Sequence, residues 1–173
     1  MNRHCSRALF VLIGGLLGAC DGPVDLGAVR DAPAQCEAPT PEQLNATARM
    51  LPGRMCQACH LPGGQAGYLS WTASGTVYGR PDSACNEGGL EGVQVDLLDE
   101  RDQIFLSLTT NRSGNFFTSE SIDVPRFRIR LSKDGKCQEM IGLQPTGACA
   151  GCHYPSTSTN APGRVYLDDT PCK

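Results

Sequence analysis

The chain has 173 residues, a formal net charge of −3 at pH 7 and ten cysteines. An acidic chain without a long run of lysine or arginine lacks the positively charged surface that binds nucleic acid, so we expect no nucleic-acid partner. Aromatic residues make up only 6% of the chain, which predicts that covalent cross-links contribute much of its stability.

The N-terminal segment, 1–19, has the pattern of an export signal. Arg3 and Arg7 precede an apolar run, 8–17, that is too short to span a membrane as a stable helix. The run leads into Leu-Gly-Ala-Cys, which resembles the lipobox of bacterial lipoproteins and implies cleavage before Cys20 and a lipid on its sulfur. An ordinary secretory signal, in which Cys20 has no role, is the alternative. We expect an exported protein of the bacterial cell envelope, held by a lipid anchor and facing the periplasm or the cell surface.

The next segments are predicted to be a tether and a short helix. Residues 20–39 are rich in proline, alanine, glycine and aspartate, as is typical of a flexible linker. Residues 40–43, Thr-Pro-Glu-Gln, have the capping pattern of a helix start. Apolar residues then recur at helical spacing as far as Leu51, and Pro52 and Gly53 end the predicted helix.

Two motifs of the form Cys-x-x-Cys-His, at 56–60 and 149–153, are the most informative feature of the sequence. Two thiols on one short turn can add across the two vinyl groups of a haem, and the adjacent histidine can reach the iron as its proximal ligand. We therefore expect two covalently attached haem c groups. The predicted thioether cysteines are Cys56, Cys59, Cys149 and Cys152, and the predicted proximal iron ligands are His60 and His153.

The four motif cysteines have two alternative interpretations without haem. Each pair can form a small-loop disulfide, or all four can bind a single zinc ion. Zinc leaves the position of both histidines unexplained, and exported thiols tend to become oxidised.

The second axial ligands of the two irons are predicted to be methionines. Both motif histidines are already used, and His4 is lost with the signal segment, so the mature chain has no histidine left for a sixth position. Methionine is the usual alternative and raises the reduction potential. Met140 is the first candidate for either iron and Met50 the second, whereas Met55 lies too close to its own motif. Each of them can equally be filler in the core.

The remaining cysteines of the mature chain are expected to form disulfides, because their number is even and the compartment is oxidising. They are Cys36, Cys85, Cys137 and Cys172. Of the three possible pairings, we favour Cys85 with Cys137 and Cys36 with Cys172, and the alternative is that one or more stay free.

The middle of the chain, 68–143, is predicted to be a β-sandwich. Apolar residues recur at every second position in 93–97, 104–108 and 127–131, with turns at 111–115 and 133–136. Short alternating strands between turns indicate antiparallel sheets with one wet face each, and therefore a mainly β fold. Trp71, the only tryptophan, is expected to plug the sandwich, with packing on a haem edge as the alternative.

Three segments of this region, 75–78, 90–95 and 109–116, resemble a carboxypeptidase-regulatory-like domain. The resemblance implies a prealbumin-like (Ig-like) sandwich, which is a scaffold rather than an activity. The second motif together with 160–165 is similar to exported multihaem cytochrome-like proteins, in which such a sandwich sits among Cys-x-x-Cys-His motifs. The resemblance covers about 56–167, and the chain departs from larger relatives in having only two motifs and no spare histidine.

The resulting prediction is a membrane-anchored diheme c-type cytochrome that acts in outer-sphere electron transfer, with other cytochromes as redox partners. An electron carrier is favoured over an enzyme, because both mature histidines lie in haem motifs and no Ser-His-Asp set can form. The alternatives are a disulfide-stapled surface lipoprotein that binds a partner without haem, and a haem-based sensor or weak peroxidase. The expected domains are a signal peptide at 1–19, a tether at 20–39, a helical segment with the first haem motif at 40–67, the sandwich at 68–143, and the second haem motif with a C-terminal extension at 144–173.

Overall fold

The computed structural model describes residues 50–84, 87–153 and 162–172. The expected signal segment, the lipid site at Cys20, the tether, the predicted helix before Met50, and Cys36 and Cys85 lie outside these residues. Met50 and Leu51, at the end of that predicted helix, are not helical. The reason is the proline that follows Leu51, which disfavours helical backbone in the residue before it. No helix in the described part of the chain is long and apolar enough to cross a membrane.

The described residues are mainly β-structure. The strands are β1 (Ala73–Thr76), β2 (Gln94–Leu98), β3 (Ile104–Thr109), β4 (Asn115–Thr118), β5 (Arg128–Lys133), β6 (Lys136–Glu139) and β7 (Gly147–Ala148). The helical pieces are a short α-helix, α1 (Cys56–Cys59), and two 3-10 turns (Gly67–Leu69 and Cys149–Gly151). Both Cys-x-x-Cys-His motifs therefore contain a helical turn next to the sheets, as the sequence predicted.

The strands form two sheets. The smaller sheet has the order β4-β1-β7, with β1 antiparallel to β4 and parallel to β7. The larger sheet has the order β3-β2-β5-β6, and all of its pairs are antiparallel. The prediction of a mainly antiparallel β-sandwich flanked by short helical segments is confirmed.

The hydrophobic core lies between the sheets. Val95 and Leu97 of β2 pair directly with Leu131 and Ile129 of β5, and all four side chains are buried. Burying each such side chain contributes roughly 1.5–3 kcal/mol. The predicted alternation is weaker in β3, where Ile104 is 47% exposed and Phe105 interrupts the apolar–polar pattern.

The turn between β5 and β6 lies where the sequence predicted it. Asp134 and Gly135 both have positive φ, at 49° and 76°. Two consecutive positive φ values are what a two-residue hairpin with right-handed strand twist requires, and Asp-Gly is a preferred pair for it. This turn fixes the register of β6 against β5.

A disulfide joins Cys137 of β6 to Cys172 near the end of the chain. The favoured pairings of Cys85 with Cys137 and of Cys36 with Cys172 are therefore wrong. The C-terminal segment runs back beside β6, where the backbone N–H of Cys137 donates to the carbonyl oxygen of Thr170 at 2.8 Å. This return places Cys172 opposite Cys137, a proximity that cysteine spacing alone does not encode.

Candidate functional site

The smaller sheet brings the two Cys-x-x-Cys-His motifs together. Helix α1 of the first motif packs against β1, and the second motif follows directly after β7, which pairs with β1. Nε2 of Gln57 in the first motif donates a hydrogen bond to the carbonyl oxygen of Gly147 in β7, at 3.4 Å. Two motifs that lie far apart in the sequence are therefore neighbours in the fold.

The first motif is a single tight turn. The backbone N–H of His60 donates to the carbonyl oxygen of Cys56 at 2.9 Å, and that of Ala66 donates to the carbonyl oxygen of Cys59 at 2.9 Å. Gly64 lies so close to this turn that a Cβ atom there would sit 2.3 Å from the Cys59 oxygen. Position 64 therefore accepts only glycine unless the backbone moves.

The imidazole of His60 is held in one orientation and one tautomer. His60 is 2% exposed, and its Nδ1 lies 2.9 Å from the carbonyl oxygen of Leu69. A carbonyl oxygen can only accept, so Nδ1 is a protonated nitrogen, and in the neutral imidazole the lone pair is then on Nε2. Nε2 is buried and has no hydrogen-bond partner in the described part of the chain. Burying a nitrogen without a hydrogen-bond partner costs free energy of folding. A histidine whose Nδ1–H is bonded to a carbonyl oxygen while Nε2 is unpaired has the arrangement that metal-bound histidines use.

Trp71 stacks on the imidazole of His60 and on the ring of Phe117. The ring centroids of His60 and Trp71 are 3.5 Å apart with an interplanar angle of 9°, and those of Trp71 and Phe117 are 4.4 Å apart at 15°. Trp71 does not belong to the hydrophobic core cluster of the described residues. The expectation that it plugs the sandwich is wrong, because its indole faces the first motif instead.

The second motif repeats the turn of the first. The backbone N–H of His153 donates to the carbonyl oxygen of Cys149 at 2.9 Å, and its Nδ1 lies 3.1 Å from the carbonyl oxygen of Gly163. Burial lowers the pKa of His153, while the bond to Gly163 acts in the opposite direction. The neutral imidazole is therefore favoured, and that is the form that binds a metal.

The second motif opens into a cavity of about 440 Å³, a size typical of small-molecule and cofactor sites. The motif contributes Cys149, Cys152 and His153 to its lining. The rest of the wall includes Phe127, Ile129, Leu131, Met140, Gln144 and Arg164. The lining is therefore mostly apolar, with a few polar groups, as an apolar ring system with polar edge substituents requires.

Met140 lines this cavity, whereas Met50 does not. The backbone of Met140 is fixed to β5, because its N–H donates to the carbonyl oxygen of Ile129 at 2.9 Å. Met50 instead lies beside β4, where its carbonyl oxygen accepts from Nδ2 of Asn115 at 2.5 Å. Of the two methionines predicted as iron ligands, Met140 is the one that the fold brings to the second motif.

The motif cysteines are not equivalent. Cys56, Cys59 and Cys149 are free thiols, whereas Cys152 is disulfide-bonded. Burial raises the pKa of Cys149 to about 12, helped by the nearby Cys56. Burial also raises the pKa of Cys56, and the nearby Ser74 side chain opposes that rise. The two buried thiols therefore stay protonated at neutral pH, and Cys152 needs to be reduced before it can form a thioether.

The two alternatives to haem are not formed in the described residues. A free Cys149 excludes a small-loop disulfide with Cys152, and Cys56 and Cys59 are both free. Within residues 50–84, 87–153 and 162–172, no group of three or more histidine, cysteine or acidic side chains is arranged to hold a metal ion. Among these described residues the four motif cysteines therefore do not form the four-cysteine zinc arrangement.

Sequence reasoning missed the groups that hold the two imidazoles. These are the carbonyl oxygens of Leu69 and Gly163, which carry no side-chain signal, and the rings of Trp71 and Phe117. A single tryptophan a few residues after the first motif was the only available signal for the stack. No protein-family model, curated protein or solved structure matches the chain, so its chemistry has to be inferred from these residues.

Proposed function

We propose that this chain is a membrane-anchored diheme c-type cytochrome that passes single electrons to and from other cytochromes by outer-sphere transfer. The observation that carries the proposal is the way in which hydrogen bonds orient the two motif histidines, His60 and His153. Each places Nδ1 against a backbone carbonyl oxygen, and Nε2 of His60 is buried without a hydrogen-bond partner among the described residues. A histidine prepared in this way is suited to donate its Nε2 lone pair to iron.

The second motif also borders a cavity that could receive a cofactor. Cys149, Cys152 and His153 line the cavity of about 440 Å³, and Met140 lies in its wall. A thioether sulfur and an imidazole nitrogen at one apolar cavity are the donor set of a histidine–methionine haem. The residues at this motif therefore fit a haem, provided that Cys152 is reduced when the cofactor is attached.

The residues then have distinct roles. Haem, when bound, supplies one-electron chemistry at its iron. Cys56, Cys59, Cys149 and Cys152 would hold the two groups covalently, which prevents their loss outside the cell. The buried His60 and the apolar wall of the second cavity would keep water away from the groups that hold iron, and burial and ligand choice are among the factors that set a haem potential.

The expected envelope location supports the same function. The signal segment and the lipid site at Cys20 predict an exported chain in a compartment where disulfides persist, and the disulfide between Cys137 and Cys172 fits that compartment. A lipid anchor would hold the carrier close to redox partners on the same membrane.

A second candidate function is a disulfide-stapled surface lipoprotein that binds a partner without haem. The observation that favours it is the disulfide at Cys152, which occupies a sulfur that the haem interpretation needs. Two oxidised pairs on a small sandwich are the expected architecture of an exported binding module.

The intact mass and visible spectrum of the protein separate the two functions. The full chain is produced in a bacterium that has the cytochrome c maturation machinery, beside a matched variant in which Cys56, Cys59, Cys149 and Cys152 are all alanine. The cytochrome proposal expects the mass of two covalent haems and a Soret band in the native chain, and neither in the variant. A native chain without a Soret band, lighter by two hydrogens for each disulfide, would overturn the proposal in favour of the stapled binding module.

A further inference from the structure

We propose that the outer face of the smaller sheet lies on the surface of the membrane that anchors the chain. This docking face consists of Tyr68, Leu69, Trp71 and Phe117. The surface that it fits is a zwitterionic bilayer, because the chain is acidic, with a formal net charge of −3, and gains no electrostatic attraction from anionic lipid. The inference rests on the membrane anchor of the proposed function and on no property of a haem.

Large apolar side chains are exposed around Trp71. Tyr68 is 85% exposed, Leu69 51% and Phe117 41%. The ring of Phe117 stacks on the indole of Trp71 with centroids 4.4 Å apart, and Leu69 precedes Trp71 by two residues. Single exposed apolar residues need no explanation, whereas a cluster of them is typical of a surface that binds a partner or a membrane.

Backbone hydrogen bonds hold the docking face in place. The carbonyl oxygen of Leu69 lies 2.9 Å from Nδ1 of His60, and the N–H of Trp71 donates to the carbonyl oxygen of His60 at 3.0 Å. The N–H of Thr72 donates to the carbonyl oxygen of Thr118 in β4 at 2.9 Å. The segment before β1 is thus fixed both to the first motif and to β4. A preformed surface of this kind loses little conformational entropy when it binds.

The chain enters the fold on the same face. Phe116 of β4 is buried in the core, and successive side chains of a strand point to opposite sides. Asn115 and Phe117 therefore both point away from the core. Nδ2 of Asn115 donates to the carbonyl oxygen of Met50 at 2.5 Å. The part of the chain that follows the predicted tether thus arrives on the side of the smaller sheet that presents Phe117.

The predicted tether keeps this face close to the membrane. About 30 residues separate Cys20 from Met50, and a flexible chain of that length has a root-mean-square end-to-end distance of roughly 30 Å. Such a link raises the effective concentration of the docking face at the bilayer, so a weak apolar contact suffices. Tyrosine and tryptophan are also the residues that are enriched where a protein meets the boundary between membrane and water.

Trp71 is the only tryptophan of the chain, so its fluorescence reports on the docking face alone. The test is quenching of this fluorescence by phosphatidylcholine with brominated acyl chains, which quench a tryptophan only at close range. The mature chain, 20–173, carries hexahistidine in place of the lipid and is held on phosphatidylcholine vesicles by a nickel-chelating lipid, with and without bromine. It is exported in a host that lacks the cytochrome c maturation machinery, because haem quenches the same fluorescence.

The test variant is Tyr68→Ser with Leu69→Ser, because both side chains are mostly in solvent and their removal leaves the core intact. The matched control is Ile104→Ser with Ile141→Ser. These isoleucines are also exposed, at 47% and 103%, but they lie in β3 and after β6, on the larger sheet. We expect brominated lipid to lower the fluorescence of the native chain at least twofold, to lower that of the control equally, and to have little effect on the test variant.

Three results would overturn the inference. An unquenched native chain would show that the tethered domain stays away from the bilayer. Equal quenching in the two double variants would show that Tyr68 and Leu69 do not make the contact. A native dimer in sedimentation that the test variant abolishes would show that a second copy covers the face. None of these results bears on the haem proposal, which the intact mass and visible spectrum decide separately.

Discussion

Met140 and His153 line the same cavity. Met140 reaches it from the segment that follows β6, fixed to β5 by the hydrogen bond to Ile129, and His153 reaches it from the turn after β7. One side chain offers a thioether sulfur and the other an imidazole nitrogen, from elements of both sheets. The sandwich thus supplies both ends of a potential ligand pair, although the two residues belong to separate segments of the chain.

Replacing Met140 with alanine in the haem-loaded protein is expected to lower the midpoint potential of one haem and to abolish any far-red charge-transfer band of the oxidised form. The reason is that methionine ligation raises the haem potential, so its loss lowers it. A spectroelectrochemical titration measures both properties. Met50→Ala is the control and should leave them unchanged, because Met50 does not line the cavity. If both methionine variants behave as the native protein does, neither residue is a ligand.

Gly64→Ala is expected to damage the first motif selectively. A Cβ at this position would meet the carbonyl oxygen of Cys59 at 2.3 Å, and overpacking of this kind costs typically about 1–3 kcal/mol. Gly151→Ala, inside the second motif, is the matched control, because no atom lies within 4 Å of the Cβ that it would add. Haem stoichiometry by intact mass should fall toward one in Gly64→Ala and stay at two in Gly151→Ala. The opposite order would show that the turn at Cys59 does not control attachment.

The larger sheet could be predicted from the sequence because burial there is local and periodic. Val95 and Leu97 alternate with polar neighbours, and the Asp-Gly pair at 134–135 specifies the following turn. Strand β7 could not be predicted, since two small residues, Gly147–Ala148, have no periodicity. Their pairing with β1 is set by tertiary contact alone.

The candidate site divides in the same way. The cysteines and histidines of the motifs could be identified from the sequence, and so could the methionines available as ligands. The hydrogen-bond partners of the imidazoles could not be identified, because every residue has a backbone carbonyl oxygen and nothing in the sequence singles out that of Leu69. The disulfide between Cys137 and Cys172 was missed for a related reason. Four cysteines permit three pairings, and only the return of the C-terminal segment beside β6 selects one.

Tyr78→Phe is expected to stabilise the protein, or leave it unchanged, at neutral pH. Tyr78 is 2% exposed and its hydroxyl group is buried without a hydrogen-bond partner among the described residues. Such an unsatisfied polar group costs roughly 1–3 kcal/mol, and phenylalanine keeps the ring over which the guanidinium of Arg164 lies at 4.4 Å. Chemical denaturation of both proteins at pH 7 measures the difference. A loss of more than about 1 kcal/mol would mean that the hydroxyl makes a favourable bond.

The same tyrosine predicts a pH dependence. Burial raises the pKa of Tyr78, with Arg164 acting in the opposite direction and Cys56 adding to the rise. The unfolded chain therefore loses this proton first as the pH rises, so the folded state loses stability above the ordinary tyrosine pKa of about 10. Tyr78→Phe should show a smaller loss of stability between neutral and strongly alkaline pH than the native protein. Equal losses in the two proteins would mean that Tyr78 does not contribute to the alkaline transition.

Removal of the disulfide between Cys137 and Cys172 should lower the free energy of unfolding by about 4 kcal/mol, the chain-entropy value for a loop of this length. The two cysteines are 35 residues apart, and the bond ties the open edge of the larger sheet to the C-terminal segment. The double variant Cys137→Ser with Cys172→Ser is compared with the native protein by denaturant unfolding under oxidising conditions. Adding a reductant provides the control: it should destabilise the native protein more than the variant, since the variant lacks this bond. A double variant as stable as the native protein would mean that the hydrogen bond between Cys137 and Thr170 holds the segment in place without the covalent link.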